Sequence, residues 1–162
     1  MRHEVTGDLF LSRAQAITHG VAPNDPHIQG SALALRERWP AMYRDCRHFC
    51  QTTHPKAEGV WAWGGTDGAR IVSLFTREAA YDHGAQPGRA SAEHLNHALK
   101  ALRGWVERED TRSLALPRLA TGVGGIRWEE GCPLIDKHLD DLPIPVYLYV
   151  TYHKDQAAAE PV

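Results

Sequence analysis

The sequence predicts an α/β fold, a mixed sheet covered by helices on both faces. Three observations carry that expectation. Short runs rich in β-branched and aromatic residues alternate with longer segments whose apolar residues recur at helical spacing. The 162 residues amount to one domain, a size that buries about 68–70% of its unfolded surface. Hydrophobic residues make up 43% of the chain and charged residues 23%, a globular balance that excludes a disordered or coiled-coil protein.

The elements follow in order. His3 to Thr6 is a short strand ended by Gly7-Asp8. Ala14 to Val21 reads as a buried strand, and the Pro23 to Pro26 loop follows it. Gly30-Ser31 opens a helix through Trp39, with Ala32, Leu35 and Trp39 at helical spacing. Pro40 ends or bends that helix, and Ala41 to Gln51 continues as helix. Val60 to Trp63 and Arg70 to Phe75 are strands joined across Gly64 to Gly68, a turn that predicts a hairpin. Thr76 to Arg89 is a long loop of the kind that often carries function. Ser91 then caps a helix whose buried face is Leu95, Ala98, Leu99, Leu102, Trp105 and Val106. Ser113 to Leu116 is an apolar run stopped by Pro117, with a glycine-rich loop after it. Glu129 to Leu139 is a helix, and Val146 to Thr151 is the last strand. Gln156 to Val162 reads as a frayed tail.

Charge and cysteines narrow the function. The net charge is -2, so no global basic field drives duplex binding, and an anionic ligand must be held by a local device. No run approaches the ~18 apolar residues of a membrane span. The amino terminus enters a strand without an apolar signal core, so a cytoplasmic protein without a membrane partner is expected. Cys46, Cys50 and Cys132 are odd in number and do not form a secreted disulfide framework. Cys46, His48, Cys50 and His54 lack the CxxC spacing of a zinc site. They read as a buried cysteine pair on one helix face beside surface histidines, and no metal is expected.

Two segments carry chemistry. In Thr121-Gly122-Val123-Gly124-Gly125 the glycines let backbone N–H groups converge into an anion nest, and a helix starting near Trp128 adds the positive end of its dipole. The string lacks the Walker lysine and the GxGxxG pattern, and the same residues also suit a plain tight turn. Asp8, on the loop after the first strand, can accept a hydrogen bond from an exocyclic amine or cap a turn.

Together, Val5-Thr6-Gly7-Asp8-Leu9-Phe10 and Leu116-Pro117-Arg118-Leu119-Ala120-Thr121-Gly122-Val123-Gly124-Gly125-Ile126-Arg127-Trp128 resemble the macrodomain family. The likeness is to the branch holding the terminal ADP-ribose protein glycohydrolase, a chromatin remodeller's macrodomain and bacterial antitoxin-like relatives. His19-Gly20-Val21-Ala22, Gln29-Gly30-Ser31-Ala32-Leu33-Ala34 and Leu74-Phe75-Thr76-Arg77 resemble further pieces of it. The resemblance implies a three-layer α/β/α macrodomain over residues 1–155, with a central mixed, mostly six-stranded sheet and a flexible tail at 156–162. It also implies an ADP-ribose site. Asp8 would bind the adenine amine with Leu9 beside it. Gly30 and Ser31 would lie by the distal ribose and pyrophosphate, His19 at the neighbouring strand end, and Pro117 at the base of the phosphate loop. Thr121, Gly122, Val123, Gly124, Gly125 and Ile126 would wrap the phosphates, and Tyr147 or Tyr149 would pack near adenine or serve the core.

The departures concern catalysis. Where the human-type glycohydrolase has its attacking lysine and resolving aspartate, this chain has Arg77 and Gly124. A guanidinium stays protonated and cannot serve as that nucleophile. His83 and His19 are the alternative acid–base candidates. A third route positions a water against the anomeric carbon without a side-chain base. The implied partners are ADP-ribose and mono-ADP-ribosylated proteins, with removal of ADP-ribose from Glu or Asp side chains as the expected reaction. A non-catalytic ADP-ribose reader, or a hydrolase acting on ADP-ribosylated nucleic acid across Arg77, Arg89, Arg118 and Arg127, are the alternatives. No cofactor is implied, and a monomer is expected.

Overall fold

The structure is a computed structural model that describes residues 2–25, 30–65, 68, 70–77, 79, 90–121 and 125–161, with Gly30 and Ser31 described through their backbone alone. Six strands form one sheet in the order β1-β6-β5-β2-β4-β3. They are β1 (Arg2–Gly7), β2 (Ala16–Val21), β3 (Val60–Gly64), β4 (Arg70–Phe75), β5 (Leu114–Pro117) and β6 (Val146–Tyr152). Every neighbouring pair is parallel except β3 with β4, the expected hairpin, where Trp61 faces Ser73.

Parallel neighbours cannot be joined by a tight turn, so crossover helices must cover the sheet. These are α1 (Gly30–Arg38), α2 (Pro40–Thr53), α3 (Ala92–Arg108) and α4 (Trp128–Leu139). Strand alternation then divides the core in two. Leu114, Leu116 and Leu148 point to the face covered by Leu95, Leu99 and Leu102 of α3 and Ile135 and Leu139 of α4. Ile17, Ile71, Ala115, Tyr147 and Tyr149 point to the other face, under Leu35 of α1 and Met42, Cys46 and Cys50 of α2. Burying each such aliphatic side chain contributes about 1.5–3 kcal/mol. The result is the three-layer α/β/α arrangement with a mixed six-stranded sheet that the sequence led us to expect.

Local signals act as predicted. Ser91 caps α3 by accepting from the His94 amide at 3.0 Å, and all six residues of its expected apolar face are buried. Pro40 starts α2 at a position where its missing N–H costs nothing, and His54 ends that helix in the left-handed conformation. The cysteine pair is buried, and His54 is exposed. One element was not anticipated: a 3₁₀ turn at Leu9–Leu11, capped by the Asp8 carboxylate, which accepts from the Phe10 amide. No helix among the described residues is long and apolar enough to cross a membrane.

Candidate functional site

Topology selects the site before any side chain is considered. β5 and β2 lie side by side at the centre of the sheet, and the chain leaves them in opposite directions, toward β6 and toward β4 and β3. A crevice opens at the carboxyl ends of such a pair. The segment after β5 borders it, as does the start of α1 after β2, with the 3₁₀ turn after β1 on the same edge of the sheet.

Asp8 is the best-held polar residue there. It is 4% exposed, and its carboxylate accepts two backbone N–H groups, Phe10 at 3.0 Å and Asp155 at 2.9 Å. Leu9 is buried beside it. On the central strand, Pro117 ends β5 opposite Tyr149. Beyond it Ala120 takes a φ of 62°, and the Ile126 amide donates to the Ala120 carbonyl at 2.7 Å. Thr121 Oγ1 donates to the Arg118 carbonyl at 2.8 Å. That bond brings the two flanks of the glycine-rich string together, with Gly125 exposed beside it, and Gly122, Val123 and Gly124 lie outside the described residues. α4 starts directly after these flanks, and its N-cap Arg127 makes no side-chain cap bond, so the positive end of the helix faces them. The Arg118 guanidinium sits 5.1 Å over the Trp128 ring and braces the junction. Gly30 and Ser31 begin α1, a second helix start on this edge.

The other sequence candidates fall elsewhere. His19 is 1% exposed, with Nε2 2.7 Å from Ser73 Oγ, in a seam between β2 and β4 that continues to the Cys46 and Cys50 thiols. Arg77 follows β4, half-buried, in an isolated antiparallel bridge with Ala90. His83 and Arg89 lie outside the described residues. Arg118 and Arg127 are exposed, and Arg127 is paired with Glu130 at 3.2 Å.

Tyr147 and Tyr149 are 3% and 5% exposed, and their hydroxyls donate to the Pro161 carbonyl at 2.6 Å and to Glu160 Oε2 at 2.8 Å. Burial, reinforced by Glu160, pushes the Tyr149 phenol well above its usual range. The segment expected as a tail is thus hydrogen-bonded across this face. The aromatic that stands open beside Asp8 is Tyr152, 52% exposed and edge-on to Phe10 at 6.2 Å. Sequence alternation missed it because β6 carries a bulge. Val5 faces Tyr149, but Thr6 already faces Thr151, and the extra residue turns Tyr152 toward the face that Tyr149 occupies.

A cavity of 620 Å³, lined by Arg13, Ala14, Arg112, Tyr147 and Glu160 among others, lies at the amino ends of β2, β5 and β6, away from the crevice. Glu58, Glu93 and His97 also gather at the surface, their ligand atoms within 4.8 Å of one another. Their sequence separation hid this group, and surface acids commonly cluster so without an ion.

No protein-family model matches the chain. It is 27% identical to a DNA ADP-ribosyl transferase–DNA ADP-ribosyl glycohydrolase fusion protein of Thermosipho africanus (strain H17ap60334), over 93% of this chain and 42% of that protein. The chain thus spans less than half the length of that curated relative. Among solved structures, the macrodomain of Thermus aquaticus DarG superposes with a TM-score of 0.81 at 23% identity, covering 93% of this chain and 98% of that one. The macrodomain of Mycobacterium tuberculosis DarG gives 0.81 at 20% identity, covering 92% and 97%. Thermosipho africanus DarTG in complex with ADP-ribose gives 0.80 at 20% identity, covering 96% and 42%. The chain has the macrodomain fold, as the resemblance in its sequence implied.

Proposed function

We propose that this protein binds ADP-ribose at the carboxyl ends of β1, β2 and β5 and removes it from DNA as a glycohydrolase. One observation carries the reading: the buried Asp8 carboxylate, held by two backbone N–H groups, shares a sheet edge with the start of α4 and the Ile126–Ala120 hydrogen bond before it. Asp8 takes the adenine amine, and Tyr152 offers the ring a face. The glycine-rich string and the start of α4 hold the diphosphate through N–H groups. Gly30 and Ser31 border the distal ribose. The similarity to a fusion protein named for DNA ADP-ribosyl glycohydrolase favours DNA over acidic protein side chains as the carrier.

Catalysis in this reading rests on positioning. A water attacks the anomeric carbon of the distal ribose, the bond to the modified group breaks, and that group leaves with a proton. Holding the ribose and water in a near-attack arrangement lowers the barrier by several kcal/mol. His19 takes no part, because it is sealed against Ser73. Arg77 does not attack carbon, but its fixed positive charge can stabilise negative charge on the leaving group.

A second reading, an ADP-ribose reader without turnover, is favoured by the arginine at position 77. Incubation with single-stranded DNA bearing thymidine-linked ADP-ribose, beside a protein modified on glutamate, separates the two. The glycohydrolase reading expects ADP-ribose release from the DNA. Binding of free ADP-ribose with no release from either substrate at stoichiometric protein would establish the reader instead.

A further inference from the structure

We propose that the segment 153–161 is the second half of the base-recognition site: it holds the Asp8 turn in the shape that selects a base bearing an amine. The proposal rests on the ADP-ribose reading above.

The segment leaves β6 at Tyr152 and doubles back over the end of β1. At its near end the His153 amide donates to the Gly7 carbonyl at 3.0 Å, and the Asp8 amide donates to the Gln156 carbonyl at 2.7 Å. The Asp155 amide donates to Asp8 Oδ2 at 2.9 Å. At its far end the Glu160 carboxylate accepts from Ser12 Oγ, from the Arg13 amide at 2.9 Å and from the Tyr149 hydroxyl at 2.8 Å. Asp8 and Ser12 are the two caps of the 3₁₀ turn. Both ends of the turn that carries the recognition carboxylate are therefore tied to one stretch of chain.

The contact is close-fitting as well as polar. A Cβ on Gly7 would stand 2.8 Å from the Gln156 carbonyl oxygen and 2.9 Å from the Ala158 amide nitrogen, so the segment packs on a bare Cα. Ala158 also packs on the core beneath α1 and α2.

The consequence for recognition lies in the lone pairs. Each Asp8 oxygen accepts one backbone N–H, Oδ1 from Phe10 and Oδ2 from Asp155, and each keeps a second acceptor site. With both oxygens pinned, the carboxylate plane cannot rotate, and the remaining sites present acceptors only. An amine satisfies them, and a carbonyl oxygen at the same place is repelled. Without the Asp155 N–H, one oxygen loses its fixed partner, the plane is free to turn, and the discrimination goes with it.

The test uses the full chain. Asp155→Pro removes the donor, and proline cannot adopt the φ of 63° found there. Glu160→Gln weakens the far anchor without touching Asp8. Calorimetric titration with ADP-ribose and with its hypoxanthine counterpart, inosine diphosphate ribose, reads affinity and base choice together. The wild type should prefer ADP-ribose by ~10-fold or more, and Asp155→Pro should lower ADP-ribose affinity ~10-fold and bring the two ligands within about threefold. Glu160→Gln should shift both quantities the same way by less, and it decides the matter should Asp155→Pro not fold. Variants that melt earlier yet keep the wild-type base preference would overturn the proposal, since the segment would then only stabilise the fold. A wild type that binds neither ligand would overturn the ADP-ribose reading and this inference with it, a result distinct from unchanged selectivity in the variants.

Discussion

The Ile126 amide donates to the carbonyl of Ala120 at 2.7 Å, and this bond ties the chain after β5 to the residues that lead into α4. In the proposed site, a diphosphate held at this junction would meet backbone dipoles rather than mobile cations. Exposed lysine or arginine contacts weaken steeply with salt, whereas fixed N–H groups at a helix start do so far less. The dissociation constant for ADP-ribose should therefore rise by less than about threefold between about 50 and 500 mM sodium chloride. A steep loss over that range would place the binding energy in side-chain cations instead. A bulky residue in place of Gly122 or Gly124 should weaken binding more than loss of Arg118 or Arg127.

Asp8→Asn tests the pinned carboxylate from the side of stability. The asparagine side chain keeps one acceptor and turns the other into a donor, so either the Phe10 or the Asp155 amide must face an N–H group. Leaving a buried donor unpaired costs about 1–3 kcal/mol. Thermal unfolding should show a lower Tm even without ligand, and an unchanged Tm would mean that the two bonds contribute little.

The thiols set reactivity against access. The hydrogen bond from Cys46 holds the Cys50 thiol below its usual range, so it is the more acidic of the pair. It is also fully buried, at 0% exposure, while Cys132 is half-buried. A reagent must reach sulfur before ionisation matters. Iodoacetamide at neutral pH, read by mass spectrometry, should label Cys132 in the native protein and reach Cys46 and Cys50 only after denaturation. Native labelling of Cys50 ahead of Cys132 would contradict this.

His138 should make the fold acid-sensitive. It is 9% exposed, with Nε2 2.8 Å from Asn96 Oδ1. Burial lowers its pKa below the usual 6.5, and Lys137, Arg103 and Lys100 push the same way. The unfolded chain then takes up the proton first, so stability is complete above about pH 6.5 and falls as pH drops below it. Wild type should lose more Tm than His138→Gln between about pH 7 and pH 5. Equal losses would remove His138 as a cause.

Much of this architecture could be read from the chain because the responsible forces leave periodic traces. The buried face of α3 shows as Leu95, Leu99 and Leu102, and the β3–β4 hairpin shows as two strands around glycines. Asp8 and the glycine-rich string were legible in the sequence as candidates that follow strands, and the structure puts Asp8 and the flanks of the string at the carboxyl ends of β1 and β5. The segment 153–161 left no such trace. Its Ala-Ala-Ala-Glu-Pro stretch reads as tail because backbone amides and one glutamate hold it, with little apolar area. Tyr152 was hidden by the bulge opposite Val5 and Thr6, which breaks the two-residue period on which strand reading depends. His19 looked available at a strand end, and only its register with Ser73 shows it buried between the sheet and the Cys46 side of α2.

Calorimetric titration of ADP-ribose into the wild type and into Asp8→Ala bears most directly on the central claim. Saturable one-to-one binding to the wild type, weakened at least ~10-fold in the variant, is the predicted result. Absence of binding to the wild type, or equal affinity in the two proteins, would contradict it.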